Sequence, residues 1–301
     1  MAHSHHEHHH DHHHEISSLN KAFIWGITLN IAFVVVEFIA GFWYDSLGLI
    51  SDAGHNLGDV ASLVLAMLAF RLAGMQANTK YTYGYKKSTV LVSLLNAVIL
   101  LVAVGFILGE SIEKLFHPRP VDGDAVAWVA GVGVVVNAFT AWLFLKDKDK
   151  DLNVKGAYLH MAADALVSVG VVVSGIIIQH TGWFIIDTMI GILIAVVIVY
   201  STWGLLRDSL RLSLDGFPSG TDYHQVEEVI ASIPGVKSFH HLHIWALSTT
   251  ETALTVHVVT DEMERMEELK CKLKCELKEV GIAHATLEFE TPGKHCDKNC
   301  C

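Results

Sequence analysis

Six long apolar stretches constrain this chain more than any other feature of its sequence. A helix needs ~20 predominantly apolar residues to cross the hydrocarbon core of a bilayer, and each stretch is near or above that length. The chain is 51% hydrophobic and only 18% charged, too apolar for an ordinary soluble domain. We therefore predict an α-helical membrane protein with six transmembrane helices. The predicted spans are residues 19–43, 47–72, 90–116, 125–145, 154–180 and 183–206.

The Lys and Arg residues between these spans predict the orientation of the chain, because cytoplasmic loops retain basic residues. The second connection (71–87) and the fourth (146–155) each contain four of them. The third connection contains two, and the first and fifth contain none. The even-numbered connections are therefore expected in the cytoplasm, together with both chain termini.

After residue 207 the composition becomes that of a soluble domain. Amphipathic helices are predicted at 222–232 and 262–280, and strands at 236–247, 253–260 and 284–290. The order αββαβ is typical of a small ferredoxin-like α+β domain with both helices on one face of the sheet. The predicted organisation is a disordered His-rich cytoplasmic tail at 1–16, a membrane domain at 17–208, a cytoplasmic domain at 209–292 and a Cys-rich tail at 293–301.

Charge and cysteine usage favour a metal cation as partner and argue against nucleic acid. The chain has 32 Asp plus Glu against 21 Lys plus Arg, whereas phosphate selects a basic surface. All five cysteines lie beyond residue 270, a distribution that fits reduced thiols near a metal better than a disulfide framework. The first sixteen residues lack a secretory signal, and their histidines form either a solvated tail or a loose metal-collecting arm.

Two spans carry the same His-x-x-x-Asp pattern. His55 and Asp59 lie in the second span, and His160 and Asp164 lie in the fifth. Residues four apart on a helix differ by only ~40° and ~6 Å of rise, so each pair directs an imidazole and a carboxylate the same way. Two such helices would supply two nitrogens and two oxygens. Zn²⁺ suits that set, Co²⁺ and Cd²⁺ are harder to exclude, and Mg²⁺ and Ca²⁺ prefer more oxygen ligands.

A single polar residue inside a span is often only a hydrogen-bonding partner for a neighbouring helix. The repetition of the pattern favours a metal, because an Asp at the centre of a membrane helix costs roughly 2.5 to 3.5 kcal/mol and four such residues require a compensating partner. For the remaining intramembrane polar residues we expect interhelical bonding or the lining of a water path. These are Glu37, Asp52, Asn96, Glu110, Asn137 and Asp187.

Four stretches resemble the cation diffusion facilitator family, in particular its bacterial zinc, cobalt and cadmium efflux branch. They are SLGLISDAGHNLGD at 46–59, YTYGYKK at 81–87, HPRPVDG at 117–123 and HHLHIWALST at 240–249. The resemblance covers nearly the whole chain. It implies a homodimer in the bacterial inner membrane that exchanges a cytoplasmic divalent metal for external protons at the four paired residues of spans two and five. Two histidines in that set, rather than one His and one extra Asp, imply a preference for zinc.

Ligand chemistry gives this exchange a physical basis. A ligand must be deprotonated to hold a metal, and imidazole titrates near neutrality, so the metal-bound and proton-bound forms of one site exclude each other. The helices then need two packings, one open inward and one open outward. The sequence leaves open whether the counter-ion is the proton or potassium, the metal preference order, the stoichiometry and the dimer contacts.

Imidazoles also recur in the predicted cytoplasmic strands. Strict alternation would direct His241 and His243 to one face of the first strand and His240 to the other. The resemblance implies a regulatory zinc site in this domain, although surface histidines are often only solvated. Cys271 and Cys275 share a helix face, and we interpret them as an ordinary exposed pair. The ligands implied by the resemblance are His240, His257, His284, Glu290, Cys296 and Cys300.

A membrane metalloprotease would need a His-Glu-x-x-His motif within a span, and an ATP-driven pump would need a phosphate-binding Gly-Lys-Ser/Thr loop or a phosphorylatable Asp domain. The sequence has His-Glu-x-x-His only in the His-rich tail, at 6–10, and shows neither feature of the pump, so it predicts a secondary transporter and not an enzyme. The remaining rival is a membrane-embedded metal sensor without transport, and ligands at the bilayer midplane argue against it.

Overall fold

A computed structural model describes residues 11–43, 47–116, 123–181, 183 and 185–293. Six long helices come first in chain order, followed by a small α+β domain. The chain divides into two compact units. The first contains the chain up to Leu72 and Val92–Leu206, and the second contains Ala73–Leu91 and the chain from Arg207 onward. The six long helices are α1 (Asp11–Trp43), α2 (Leu47–Ala73), α3 (Ser88–Phe116), α4 (Gly123–Leu145), α5 (Leu152–Thr181) and α6 (Ile185–Ser213).

Helices of the first unit pack through a mixed aromatic and aliphatic core. The Phe23 ring of α1 lies 4.9 Å from the Phe144 ring of α4 and 5.7 Å from the Phe70 ring of α2. Leu63 of α2 and Met161 of α5 are fully buried in the same cluster. Other apolar side chains of these helices face outward, a pattern expected when lipid replaces water as the solvent.

Three helices among the described residues are long and apolar enough to cross a membrane: Lys21–Ala40 of α1, Asn56–Ala73 of α2 and Ser88–Glu113 of α3. A shorter apolar stretch, Ala130–Leu145, lies in α4. The six predicted spans coincide with α1 to α6, and their crossing of a bilayer stays a prediction for α4, α5 and α6. Helix α1 begins at Asp11, so it includes the last residues of the expected disordered tail, whose first ten residues lie outside the described residues.

The second unit has the predicted αββαβ order. Strand β2 (Thr252–Val259) lies between the other two strands of the sheet. It is antiparallel to β1 (Ser238–Ala246) and parallel to β3 (Ile282–Glu290). Val226 and Ile230 of the first helix and Leu269, Leu273 and Leu277 of the second are buried in one core with the sheet. The Asp222 carboxylate accepts hydrogen bonds from two backbone N–H groups and caps the first helix. The elements are α7 (Tyr223–Ser232), β1 (Ser238–Ala246), β2 (Thr252–Val259), a 3₁₀ turn (Met263–Arg265), α8 (Met266–Glu279) and β3 (Ile282–Glu290).

Candidate metal centres

One group of potential ligands lies between α2 and α5. His160 Nε2 is 2.6 Å from Asp59 Oδ1 and 3.9 Å from Asp164 Oδ2. A ligand atom from each of the three residues lies within 4.8 Å of the others. The i, i+4 spacing of His160 and Asp164 directs both inward from α5, as the sequence predicts, and Asp59 approaches from α2. The structure therefore brings together three of the four predicted membrane ligands.

The fourth residue, His55, lies one helical turn before Asp59 in α2, and its side chain lies outside the described residues. His160 is 5% exposed and Asp59 is 3% exposed. Among the described residues, Asp59 Oδ2 has no hydrogen-bond partner. Carboxylate and imidazole groups are costly to bury without a compensating charge. A divalent cation between these groups would supply that charge and use the free carboxylate oxygen.

Buried polar contacts fix the neighbouring helices around this group. Asn56 Nδ2 of α2 donates to Glu37 Oε2 of α1 at 2.7 Å, three residues from Asp59. Asn30 Nδ2 of α1 contacts Thr140 Oγ1 of α4 at 3.3 Å. The contact with Asn56 confirms the predicted interhelical bonding of Glu37. The side chains of the other predicted polar positions Asp52, Glu110 and Asp187 lie outside the described residues.

A second group lies on the sheet of the other unit, where β1 departs from regular pairing. The register between β1 and β2 shifts between His240 and His243, and His241 has a φ of 49°. This bulge breaks the alternation of side chains, so the prediction of opposite faces for His240 and His241 is wrong. The His240 and His241 rings both lie 5.1 Å from the His257 ring of β2. The three imidazoles can direct nitrogens to one ion.

Carboxylates from β3 adjoin the same imidazoles. Glu290 Oε1 is 2.6 Å from His257 Nδ1, and Glu290 Oε2 is 3.5 Å from His240 Nε2. Glu288 Oε2 is 3.4 Å from His257 Nε2, because β2 pairs His257 with Glu288 in register. His257 therefore belongs to two ligand groups, one with the two neighbouring histidines and one with the two glutamates.

Two of these ligands, His241 and Glu288, were absent from the set that the sequence predicts. Glu288 could have been found once its pairing with His257 was known, whereas nothing in the sequence signals the bulge. The structure brings together His240, His257 and Glu290 of the predicted set. It does not bring His284 to them: the His284 ring packs edge-on against Tyr83, 5.5 Å between centroids. Cys296 and Cys300 lie outside the described residues.

Comparison with known proteins finds two family models that match this chain. The model of the cation efflux transmembrane domain matches residues 23–212, and that of the cation efflux protein cytoplasmic domain matches residues 218–291. The chain belongs to the cation efflux family. It is a bacterial cation diffusion facilitator of the zinc, cobalt and cadmium efflux branch, as the sequence resemblance predicts.

Curated members of the family align with this chain over most of the length of both proteins. The metal cation efflux system protein CzcD of Cupriavidus metallidurans is 39% identical over 88% of this chain and 84% of its own. The cadmium, cobalt and zinc/H⁺-K⁺ antiporter of Bacillus subtilis is 32% identical over 99% and 94%. The zinc transporter ZitB of Escherichia coli is 33% identical over 96% and 93%.

A solved structure, titled the metal-bound C-terminal domain of the CzcD transporter, is similar to part of the chain. It is 46% identical and covers 23% of this chain and 97% of its own, with a TM-score of 0.22.

Proposed function

We propose that this protein exports a divalent metal, zinc foremost, from the cytoplasm in exchange for protons. The observation that supports the proposal is the buried group of Asp59, His160 and Asp164, donated by two helices of the membrane domain. His55 completes a set of two imidazoles and two carboxylates. Its family relatives carry the names of zinc transporters, metal efflux proteins and a metal/H⁺-K⁺ antiporter, which agree with this function.

The contact between Asp59 and His160 gives the exchange a chemical step. At 2.6 Å, His160 Nε2 and Asp59 Oδ1 can share a proton. A metal ion on the same two atoms needs that proton to leave, because a ligand lone pair holds either a proton or the metal. Protons arriving from outside therefore release the metal outward, and metal arriving from the cytoplasm releases protons. Alternating access around one site is sufficient for antiport.

Ligand type supports zinc over other ions. Zinc accepts imidazole nitrogen and carboxylate oxygen in a tetrahedral set, whereas magnesium keeps an octahedral shell of oxygens. Cobalt and cadmium accept similar ligands, so we expect them to be transported as well. Replacing His55 with Asp should widen the choice of metal by exchanging a nitrogen ligand for oxygen.

The second group is proposed as a regulatory zinc site in the cytoplasm. Its ligands are His240, His241, His257, Glu288 and Glu290. The matched cytoplasmic family domain, whose model is named for dimerisation, supports a homodimer in the inner membrane. Both termini and the connections between α2 and α3 and between α4 and α5 are proposed to be cytoplasmic, with domains at 1–16, 17–208, 209–292 and 293–301.

The test is zinc uptake by proteoliposomes whose lumen is acidic, with the full chain inserted. Wild-type protein should accumulate zinc and release luminal protons, and His160→Ala should abolish both. Leu166→Ala, a partly exposed position on the same helix, is the matched control and should transport normally. A potassium gradient replacing the pH gradient identifies the counter-ion. Zinc binding without any gradient-driven flux would overturn the proposal in favour of a membrane metal sensor.

A further inference from the structure

The ligand face of α5 continues as a polar stripe toward the beginning of that helix. Asn153, Gly156, His160 and Asp164 are spaced by three, four and four residues, so they follow one another along one helix face. Asn153 is fully buried and Gly156 is also buried. The rise of a helix places Asn153 ~10 Å and Gly156 ~6 Å along the axis from His160. The stripe therefore links the site to the helix end proposed to be cytoplasmic.

Helix α3 lies against this stripe and is polar over the same length. A Cβ atom on Gly156 would lie 3.7 Å from Asn96 Cβ and 3.8 Å from Asn96 Nδ2. Further along, Val104 of α3 packs with Ala163 of α5, so the two helices run side by side in the same direction. Asn96 is 4% exposed, whereas the next buried residues of α3, which are Ala97, Leu100 and Val104, are apolar. The buried polar side chains of α3 are therefore interrupted near the level of the metal site and resume only at Ser111.

Three of the four amide atoms of Asn153 and Asn96 have no hydrogen-bond partner among the described residues. Within the described part of the chain, neither Nδ2 nor Oδ1 of Asn153 has a hydrogen-bond partner, and Asn96 Oδ1 has none. Burying an amide that has no hydrogen-bond partner is unfavourable. Apolar side chains at the same positions would avoid that cost. Such groups fit a seam that accommodates a polar species for part of the time.

We infer that the seam between α3 and α5 is the route by which a partly hydrated divalent cation reaches the membrane site, with the amide oxygens of Asn153 and Asn96 as successive ligands. The inference rests on the proposed transport function. Amide oxygens are neutral ligands for divalent cations, and zinc prefers imidazole to them. Each amide therefore holds the ion weakly enough to pass it on, as conduction through several sites requires. Gly156 adds no side chain to the seam, where a Cβ atom would already contact Leu205 Cδ2 of α6 at 3.5 Å.

The test measures uptake kinetics and equilibrium binding separately on the full chain. Binding at the membrane site is defined as the zinc binding that His160→Ala removes. Asn153→Leu, Asn96→Leu and Gly156→Leu should each raise the half-saturating zinc concentration for uptake at least tenfold. The equilibrium dissociation constant at the membrane site should stay within twofold of wild type. Gly105→Leu is the matched control on α3, where a Cβ meets nothing within 4 Å, and should transport like wild type.

Unchanged uptake kinetics in the leucine variants would overturn the route, and so would a loss of equilibrium binding that matches the loss of uptake. If the leucine variants do not fold, Asn153→Asp and Asn96→Asp decide the question. An added carboxylate on the route should lower the half-saturating zinc concentration at least threefold, and no change would overturn the inference. Absence of zinc uptake by wild-type protein would instead overturn the proposed transport function.

Discussion

The contact between Asp59 and His160 determines the charge of the membrane site in each state. The two side chains are almost fully buried, and a carboxylate from Asp164 lies beside them. In the proposed cycle, a proton shared by His160 and Asp59 would offset part of the negative charge of the two carboxylates when no metal is bound. Zinc would compensate both carboxylates, and the proton would leave. Removing one carboxylate should therefore alter both the affinity for zinc and the number of protons that zinc displaces.

We predict that Asp59→Asn weakens zinc binding by at least about tenfold, since even an outer-shell partner of a metal site contributes that much. The amide keeps the volume of the carboxylate but brings no negative charge. The pH dependence of zinc binding should become shallower for the same reason. Competition with a chelator at several pH values measures both effects. Ser62→Ala, a buried polar position on the same helix, is the control, and an equal loss in that variant would contradict the prediction.

His241 combines a proposed ligand role with a strained backbone. Its φ of 49° lies in the left-handed region, which costs a residue with a Cβ atom roughly 1 to 2 kcal/mol. Glycine has no such cost. Its extra freedom in the unfolded chain offsets roughly 0.5 to 1 kcal/mol of this gain. We therefore predict that His241→Gly stabilises the metal-free cytoplasmic domain by about 0.5 kcal/mol while weakening its zinc binding. Hydrogen exchange of the β2 amides without zinc measures the stability, and zinc titration measures the affinity.

The matched control is His243→Gly, which lies in the regular part of β1 beyond the bulge. Glycine there should destabilise the domain by about 0.5 to 1 kcal/mol, because it adds conformational freedom to the unfolded chain. We therefore expect glycine to raise the free energy of unfolding at position 241 and to lower it at position 243. Destabilisation by glycine at both positions would show that the backbone at His241 is not strained.

Sequence reasoning at the residue scale succeeded where helix geometry alone decides the direction of a side chain. The i, i+4 pair His160 and Asp164 was predicted because 3.6 residues per turn fixes which residues share a face. It failed at His241, because an irregular strand depends on a register shift that no local pattern announces. His284 illustrates a third case: its position in β3 was approximately predicted, but its contact with Tyr83 comes from a distant part of the chain.

At the scale of elements, apolar length predicted all six long helices and the start of α2, but not the starts of the other five. Helix α5 was expected from residue 154, where apolar residues start, and it begins at Leu152. Asp151 Oδ1 accepts hydrogen bonds from the backbone N–H groups of Asn153 at 2.6 Å and Val154 at 3.2 Å. Capping contacts of this kind determine where a helix begins. The ends of an apolar stretch in the sequence therefore locate the start of a helix only approximately.

Two lysines at the end of the connection between α2 and α3 contact other residues of the second unit, and Lys87 makes most of these contacts. Lys87 Nζ donates to the carbonyl oxygens of Leu212 at 2.8 Å and Ala246 at 3.1 Å. It also donates to Asp215 Oδ1 at 2.5 Å. A second ion pair joins Lys86 to Glu251 in the β1–β2 turn. Lys87 therefore satisfies acceptors at the end of α6 and at the end of β1 with one side chain.

We predict that Lys87→Met loosens this connection, since methionine keeps most of the apolar stem but donates no hydrogen bond. Amide hydrogen exchange across residues 81–87 should accelerate by about tenfold, the factor expected for losing ~1.4 kcal/mol of local stability, which is about one hydrogen bond to a charged group. Lys80→Met, an exposed lysine in the same connection, is the control and should exchange like wild type. Equal acceleration in both variants would assign the effect to net charge instead.

For the molecule as a whole, the two separate ligand groups are the basis of the two proposed roles of zinc, transport and regulation. The membrane group supplies two carboxylates and at least one imidazole, whereas the cytoplasmic group supplies three imidazoles and two glutamates. His257 belongs to both cytoplasmic ligand groups, so one substitution there disables the whole centre. His160 lies only in the membrane group. Substituting each histidine in turn therefore separates transport from regulation.

We predict that His257→Ala keeps the maximal rate of zinc uptake but raises the half-saturating zinc concentration about fivefold or more, the lower range of allosteric coupling between sites. Zinc bound in the cytoplasmic centre would favour the transporting state, so its loss requires more zinc to reach the same population of that state. Proteoliposome uptake over a range of zinc concentrations measures both parameters. His224→Ala, a solvent-exposed histidine of α7, is the control. Loss of uptake in His257→Ala at every zinc concentration would mean that the cytoplasmic centre lies on the transport path itself, because a purely regulatory site cannot limit flux once the membrane site is saturated.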